Sequence, residues 1–320
     1  MRATAIAQPN IALIKYWGKR DLELNLPAVG SISITLRDLF TEMQLELDEH
    51  LPADKLTVNG SVDETMLPRL STCLDHVVGG GRVRASIVSR CNFPVAAGLA
   101  SSASAFAATT VAAAHAAGKP LGVKALANLA GRSSGSAARS LYGGFAELEN
   151  SDKKIIVSTL CESEQWPLTV VIAITETGPK AVGSTEAMEI SRSTSPFYAN
   201  WIDRQDNDLK TARNAILKRD FEQLAAIAEH NCLKMHSVMW ASRPPIVYWN
   251  SATMRCLQTV RKLQGNGVGV FFTIDAGPQV KAICLPEHAH EVRAALAATE
   301  GVIDIMESGL GDGARLVEVS

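Results

Sequence analysis

An alanine-rich segment from Ala103 to Ala117 restricts this chain more than any other stretch. Alanine is the strongest helix former, and a helix with small apolar side chains on almost every face belongs inside a protein. Thr109, Thr110 and His115 interrupt it, and Gly118-Lys119-Pro120 ends it, so it does not read as a membrane span. An alternating strand, Arg82 to Cys91, leads into it through Phe93-Pro94-Val95-Ala96-Ala97-Gly98-Leu99-Ala100-Ser101-Ser102. The order is strand, glycine loop, helix start. A helix start carries unpaired N–H groups and a partial positive charge, which together bind anions. Gly98 lets backbone approach a ligand closely, and Ser101 and Ser102 add hydroxyl groups. Two readings stay open here: a phosphate cradle, or serines that only cap a buried helix. The stretch is not a Walker A loop, since no Gly-Lys-Ser/Thr follows.

The 320 residues suggest about two domains, and 47% hydrophobic with 20% charged residues is the profile of a globular chain with a full core. A formal net charge of −2 gives no electrostatic reason to expect nucleic acid or an anionic membrane as partner. The six cysteines form no CxxC pair and the seven histidines no metal spacing, so we expect reduced, mostly buried thiols, no zinc site and a cytoplasmic protein. The N-terminal apolar run is too short for a signal peptide.

Strands are predicted over 2–7, 10–15, 31–36, 41–47, 82–91, 145–149, 154–159 and 168–175, with helices over 63–78, 103–117 and 122–130. After Gly178 the texture becomes helical, over 185–192, 206–218, 220–240 and 251–264. Strands at 267–274 and 280–284, a helix at 286–299 and strands at 302–306 and 315–319 complete the chain. The expectation is an α+β protein with an N-terminal domain over 1–180 and a C-terminal domain over 181–320, the latter with helices on one sheet face.

Three other loops carry chemistry. In Asn10-Ile11-Ala12-Leu13-Ile14-Lys15-Tyr16-Trp17-Gly18-Lys19-Arg20-Asp21, Lys15 sits inside an apolar run. It needs an anionic partner there, or it is an edge lysine reaching to water. In Ser134-Gly135-Ser136-Ala137-Ala138-Arg139, hydroxyls and a guanidinium three residues apart suit a carboxylate or phosphate; the bland reading is a capped helix with a surface arginine. In Thr273-Ile274-Asp275-Ala276-Gly277-Pro278, an aspartate closes an apolar strand. It is a general base or hydroxyl holder at a pocket lip, or it merely starts a turn.

Taken together these loops resemble the GHMP kinase superfamily, and more narrowly the diphosphomevalonate decarboxylases. The matching stretches are 10–21, Asn-Leu-Pro followed by Ser-Ile-Ser within 25–33, 93–103, Ser-Gly-Ser-Ala-x-Arg-Ser at 134–140 and Asp-Ala-Gly-Pro at 275–278. The resemblance implies a GHMP kinase fold, with an N-terminal domain like ribosomal protein S5 domain 2, a ferredoxin-like C-terminal domain and a site in the cleft between them. It implies ATP-dependent decarboxylation of mevalonate 5-diphosphate to isopentenyl diphosphate by way of 3-phosphorylation, with magnesium on the ATP phosphates and a homodimeric enzyme. By the same resemblance Asp275 acts on the 3-hydroxyl, Arg139 holds the carboxylate and Lys15 stands near the transferring phosphoryl group. Gly98, Leu99, Ala100, Ser101 and Ser102 bind ATP. Tyr16, Lys19 and Ser184 hold the diphosphate, and Ser136 and Met188 line the substrate pocket. Thr185 stands where some bacterial members carry an arginine, which leaves mevalonate 5-phosphate or a 3,5-bisphosphate open as the substrate. The superfamily also includes plain 3-kinases and non-catalytic ligand-binding proteins. The presence of Lys15, Arg139 and Asp275 together argues against both. Gly309-Leu310-Gly311-Asp312-Gly313 matches the third superfamily motif only loosely and is assigned no ligand role.

Overall fold

A computed structural model of the chain describes residues 1–94, 99–178 and 181–319. The strands are β1 (Arg2–Ala7), β2 (Asn10–Ile14), β3 (Lys19–Asp21), β4 (Leu26–Pro27), β5 (Ser31–Thr35), β6 (Thr41–Asp48), β7 (Lys55–Val58), β8 (Ser61–Val62), β9 (Arg84–Cys91), β10 (Phe145–Leu148), β11 (Val157–Cys161), β12 (Thr169–Ile174), β13 (Val270–Thr273), β14 (Val280–Cys284), β15 (Asp304–Gly309) and β16 (Arg315–Val319). The helices are α1 (Leu67–Val78), α2 (Ser101–Ala116), α3 (Val123–Ser133), α4 (Ser184–Thr194), α5 (Tyr198–Lys218), α6 (Phe221–Trp240), α7 (Ser251–Gly265) and α8 (Ala289–Ala297). One 3-10 turn, Arg139–Leu141, precedes the Gly143-Gly144 pair, and another, Pro286–His288, precedes α8.

The first sheet runs β16-β1-β6-β9-β7-β8, antiparallel throughout except for β7 against β9. Successive strand side chains alternate between faces. Ala3, Ala5 and Ala7 therefore share one face of β1, beside Met43 and Leu45 of β6 and Ala85 and Ile87 of β9, and α2 is buried on that face. With methyl groups on both sides, helix and sheet approach closely, and Phe106 and Val111 fill the space left. This is the physical use of the alanine-rich segment, and it fixes where the α2 N-terminus points.

A second sheet has the order β11-β10-β5-β2 and a third β13-β14-β12-β15. The third sheet is apolar on both faces. Val170, Ile172 and Ile174 pack with β2, β5 and α5, while Val171 and Ala173 pack with α7 and α8. That double burial is why the β12 sequence is a continuous apolar run. Strand membership crosses the expected division near residue 180. β12, before it, pairs with β14 and β15, and β16, after it, returns to pair with β1.

Other elements differ from expectation for local reasons. The helix expected from 63 begins at Leu67, because the Asp63 carboxylate accepts the Thr65 and Met66 N–H groups and holds the preceding residues in a turn. Pro68 lies in the first helical turn, where its missing N–H costs nothing. Arg132 and Ser133 finish α3 rather than open the following loop, and α5 starts at Tyr198, ahead of the expected 206. The β7–β8 hairpin and the β3–β4 ribbon are too short to leave a periodic signal.

The chain enters β16 by crossing the Gly143-Gly144 turn. Gly144 N–H donates to Gly311 O at 2.9 Å, Gly311 N–H to Thr35 O at 2.8 Å and Ala314 N–H to Ser140 O at 2.9 Å. A Cβ on Gly313 would lie 2.3 Å from Leu141 O, and one on Gly143 would lie 2.8 Å from Asp312 Cα. The glycines of this loosely matching motif therefore permit two backbones to touch. Gly313→Ala is expected to destabilise the protein by about 1–3 kcal/mol, read as a lower melting temperature. An unchanged melting temperature would mean that the crossing yields without cost.

Candidate active site

Strand β2 is buried along its whole length and ends just before Lys15, whose backbone partners come from α5 and α6. Lys15 N–H donates to Asn231 Oδ1 at 2.8 Å, and Gln205 Nε2 donates to Lys15 O at 2.8 Å. Opposite, β13 delivers Asp275. The two strand ends are tied through Ala12 O, which accepts from Thr273 Oγ1 at 3.2 Å and from Lys15 Nζ at 2.8 Å. Lys15, 1% exposed, also donates to Asp275 Oδ1 at 2.9 Å. Lys281 of β14 places its Nζ 3.3 Å from Asp275 Oδ2. Burial alone would raise the Asp275 carboxyl, but the two ammonium groups hold it well below the usual carboxylate range. Lys15 is thus the buried lysine with an anionic partner, and Asp275 is ionised.

Arg139 stands in the 3-10 turn and is 2% exposed. Its Nε donates to Ser33 Oγ at 2.9 Å and its Nη1 to Ser31 Oγ at 2.5 Å, while Nε and Nη2 both reach Asn10 Oδ1 at 3.3 and 3.2 Å. Asn10 is oriented in turn, donating to Ser136 O at 2.9 Å and Ser140 Oγ at 2.8 Å. These partners are all neutral. Burial pulls the guanidinium down to about 10, only partly countered by Tyr16 and Asp275. This is no surface arginine; it is a buried cation held in place by neutral groups.

Lys15, Tyr16, Lys19, Ala100, Ser101, Ser102, Ser136, Arg139, Ser184, Met188 and Asp275 all line one cleft of about 930 Å³. Leu99 is buried in the core cluster that joins the second and third sheets, so the structure gives it a packing place rather than a place on the cleft wall. Gly98 lies outside the described residues. Ala100 adopts a left-handed backbone (φ 55°) directly before α2. Among the described residues no side chain caps that helix start; the Ala103 N–H donates to Ala100 O at 2.8 Å, and Ala100, Ser101 and Ser102 line the cleft. The start of α4, Gly183 to Glu186, lines the same cleft. Two helix N-termini thus stand beside four cations, Lys15, Lys19, Arg69 and Arg139.

Lys19 Nζ reaches Thr185 Oγ1 at 3.4 Å, and burial together with the nearby Arg69 charge lowers its pKa. Among the described residues the buried Tyr16 hydroxyl has no partner, and it is pushed up to about 12, chiefly by burial. It lies so close to Gly135 that a Cβ there would come within 2.4 Å of it. An unpartnered buried hydroxyl beside a site is a donor waiting for a ligand oxygen.

Sequence reasoning missed Lys281 and Arg69. Lys281 carried the same signal as Lys15, a lysine inside a fully buried apolar strand. Arg69 looked like one more polar position on an amphipathic helix; only the packing of α1 turns it to the cleft.

A helix start, a lysine–aspartate ion pair and a buried arginine on one cleft belong to an enzyme of the GHMP kinase fold, the fold of the solved structures this chain matches. The family model for the diphosphomevalonate decarboxylase-like N-terminal domain matches residues 7–158, and that for the mevalonate 5-diphosphate decarboxylase C-terminal domain matches 170–309. The chain belongs to the diphosphomevalonate decarboxylase family. The diphosphomevalonate decarboxylase of Candida albicans is 35% identical over 86% of this chain and 82% of its own length. The crystal structure of mevalonate diphosphate decarboxylase from Staphylococcus aureus superposes with a TM-score of 0.93 at 36% identity, covering 99% of this chain and 98% of that one. A structure described as MDDEF in complex with MVAPP, AMPPCP and magnesium has a TM-score of 0.93 at 33% identity, covering 100% of this chain and 99% of that one.

Proposed function

We propose that the chain catalyses the ATP-dependent decarboxylation of mevalonate 5-diphosphate to isopentenyl diphosphate, releasing ADP, phosphate and carbon dioxide. The observation that carries this reading is Arg139, a buried guanidinium with only neutral partners, in the same cleft as the ionised Asp275 and its lysines. A substrate carboxylate supplies the anion that Arg139 lacks. Asp275 orients the 3-hydroxyl towards the ATP γ-phosphoryl group. A carboxylate held so low is a weak base, so the hydroxyl proton leaves late, once the new phosphorus–oxygen bond has acidified it. Lys15 stands by to neutralise the transferring group, a charge that a Walker A lysine would otherwise bring. The C3–O bond then breaks with its electrons going to phosphate. Asp275 favours the positive carbon left behind, and the carboxyl C–C electrons become the alkene as carbon dioxide departs.

The loop at 98–102 and the α2 start would cradle the ATP phosphates. Tyr16, Lys19 and Ser184, with Arg69, would hold the diphosphate, and Ser136 and Met188 would shape the pocket around the substrate. Magnesium is expected on the ATP phosphates. Among the described residues no three His, Cys, Asp or Glu side chains converge, which suits an ion carried mainly by phosphate oxygens. A cytoplasmic homodimer is the family expectation. Among the described residues no helix is long and apolar enough to cross a membrane.

Thr185, bonded to Lys19, favours mevalonate 5-phosphate as the second reading, because a hydroxyl there offers one charge fewer to the outer phosphate. The test is ADP and carbon dioxide release with Mg-ATP and either substrate. Equal release of both from the diphosphate, and little from the monophosphate, is expected. Preference for the monophosphate would move the substrate assignment, ADP without carbon dioxide would make the protein a 3-kinase, and no ADP at all would refute catalysis.

A further inference from the structure

We infer that Lys281 is a positioning residue for this reaction: from behind the cleft it grips the second oxygen of Asp275, so that Lys15 can follow the transferring phosphoryl group without releasing the carboxylate. The inference rests on the function proposed above. The two lysines are not equivalent. Lys15 Nζ lies 2.9 Å from Asp275 Oδ1 and lines the cleft, whereas Lys281 Nζ lies 3.3 Å from Oδ2 and does not. Lys281 is wholly buried near the start of β14, in register with Thr273 of β13 and Ile172 of β12. Its side chain has no exposed surface and takes no part in the cleft wall. A buried ammonium is costly to keep, and here it faces the reactive carboxylate.

The other groups around Asp275 leave this task to the lysines. From α6, His236 is kept neutral at neutral pH, its pKa pushed down to about 3 by burial and by Lys15, and the Cys232 thiol is raised by burial. Arg139, in its 3-10 turn, is engaged with Asn10, Ser31 and Ser33. Bound ATP and a substrate diphosphate bring several negative charges, which draw Lys15 towards them and favour protonation of Asp275. With Lys15 as its only cation the carboxylate would turn or take up a proton at that moment. With Lys281 on Oδ2 it stays ionised and aimed.

The test compares Lys281→Met, Lys281→Gln and Lys281→Arg with the unaltered protein, reading melting temperature, KM for each substrate, and kcat against pH from ADP release. Both neutral variants are expected to lose about 10- to 100-fold in kcat with each KM changed less than about threefold, because the interaction matters in the transition state. Their acid-side loss of kcat is expected to begin about 1–2 pH units higher, since one of two cations is gone. Lys281→Arg is expected to restore most of kcat and the original acid limb. The inference fails if the neutral variants keep kcat within about twofold with the original acid limb, or if the folded Arg variant is as impaired as Met. It also fails if both neutral variants cannot fold, since the charge would then serve packing alone. Activity of the unaltered protein on the diphosphate is the control for the proposed function, so a refuted Lys281 role is distinguishable from a refuted reaction.

Discussion

Asp275→Asn is expected to lower kcat by about 10³-fold or more while ATP binding is retained. Asparagine has the size and shape of aspartate, so the loss isolates the charge. It removes the group that orients the hydroxyl and favours positive charge at C3. It also leaves two buried ammonium groups, Lys15 and Lys281, without their shared counter-charge. Removing one partner of a buried ion pair costs about 3–5 kcal/mol, so the variant is expected to be folded but less stable. The pH dependence has a definite sign. Asp275 has a folded pKa held below its unfolded value, so its contribution to stability is present above the ordinary carboxylate range and is lost as pH falls through the folded pKa. The stability gap between the two proteins should therefore be full at neutral pH and shrink in acid. In the Asn variant Lys281, already lowered by burial and by Lys15, no longer has the carboxylate to raise it, so that variant should gain stability as pH rises. Turnover with ATP titration, together with melting temperature against pH, checks both parts. Near-normal kcat would sink the role given to Asp275.

Arg139→Met should reduce kcat/KM for the carboxylate-bearing substrate by about 10²–10³-fold, with a much smaller effect on ATP binding. Its effect on the free protein is the more telling part. Burial lowers this guanidinium to about 10, so keeping it charged at neutral pH costs the empty fold roughly 3 kcal/mol. Methionine removes that cost but takes the donor from Asn10 Oδ1, Ser31 Oγ and Ser33 Oγ; the two serine hydroxyls can turn to other acceptors, which leaves Asn10 Oδ1 as the main loss, about 1–3 kcal/mol. The two nearly offset, so the melting temperature should change little. Substrate, by contrast, should raise the melting temperature of the unaltered protein and fail to raise that of the variant. A variant that melts far lower would show that the Arg139 network serves the fold; one still stabilised by substrate would show that the carboxylate binds elsewhere.

Much of this site was legible because its parts are local. The order strand, loop, alanine helix is written in consecutive residues, and the burial of α2 follows from it. A lysine inside an apolar run at 10–15 posed a choice between an anionic partner and an edge position reaching to water, and the structure decides for the partner. The same logic applied to Lys281 and would have found it. Arg69 left no such trace, because an arginine on an exposed-looking helix face is commonplace. β12 and β16 were visible as strands, but no local pattern says which sheet a strand joins.

The order strand, loop, alanine helix and the oddity of a lysine inside an apolar run were determined by the sequence alone, since each follows from neighbours within a few positions. Which charges meet was decided by the tertiary structure. Lys15 and Asp275 stand 260 positions apart and touch because Ala12 O joins the ends of β2 and β13, with Asn231 and Gln205 holding the backbone beside them. Arg139 is surrounded by neutral groups because β2 and β5 bring Asn10, Ser31 and Ser33 to it from more than 100 positions away. Local pattern is set by backbone geometry and side-chain chemistry, whereas pairings over such separations exist only once the sheets have packed and excluded water.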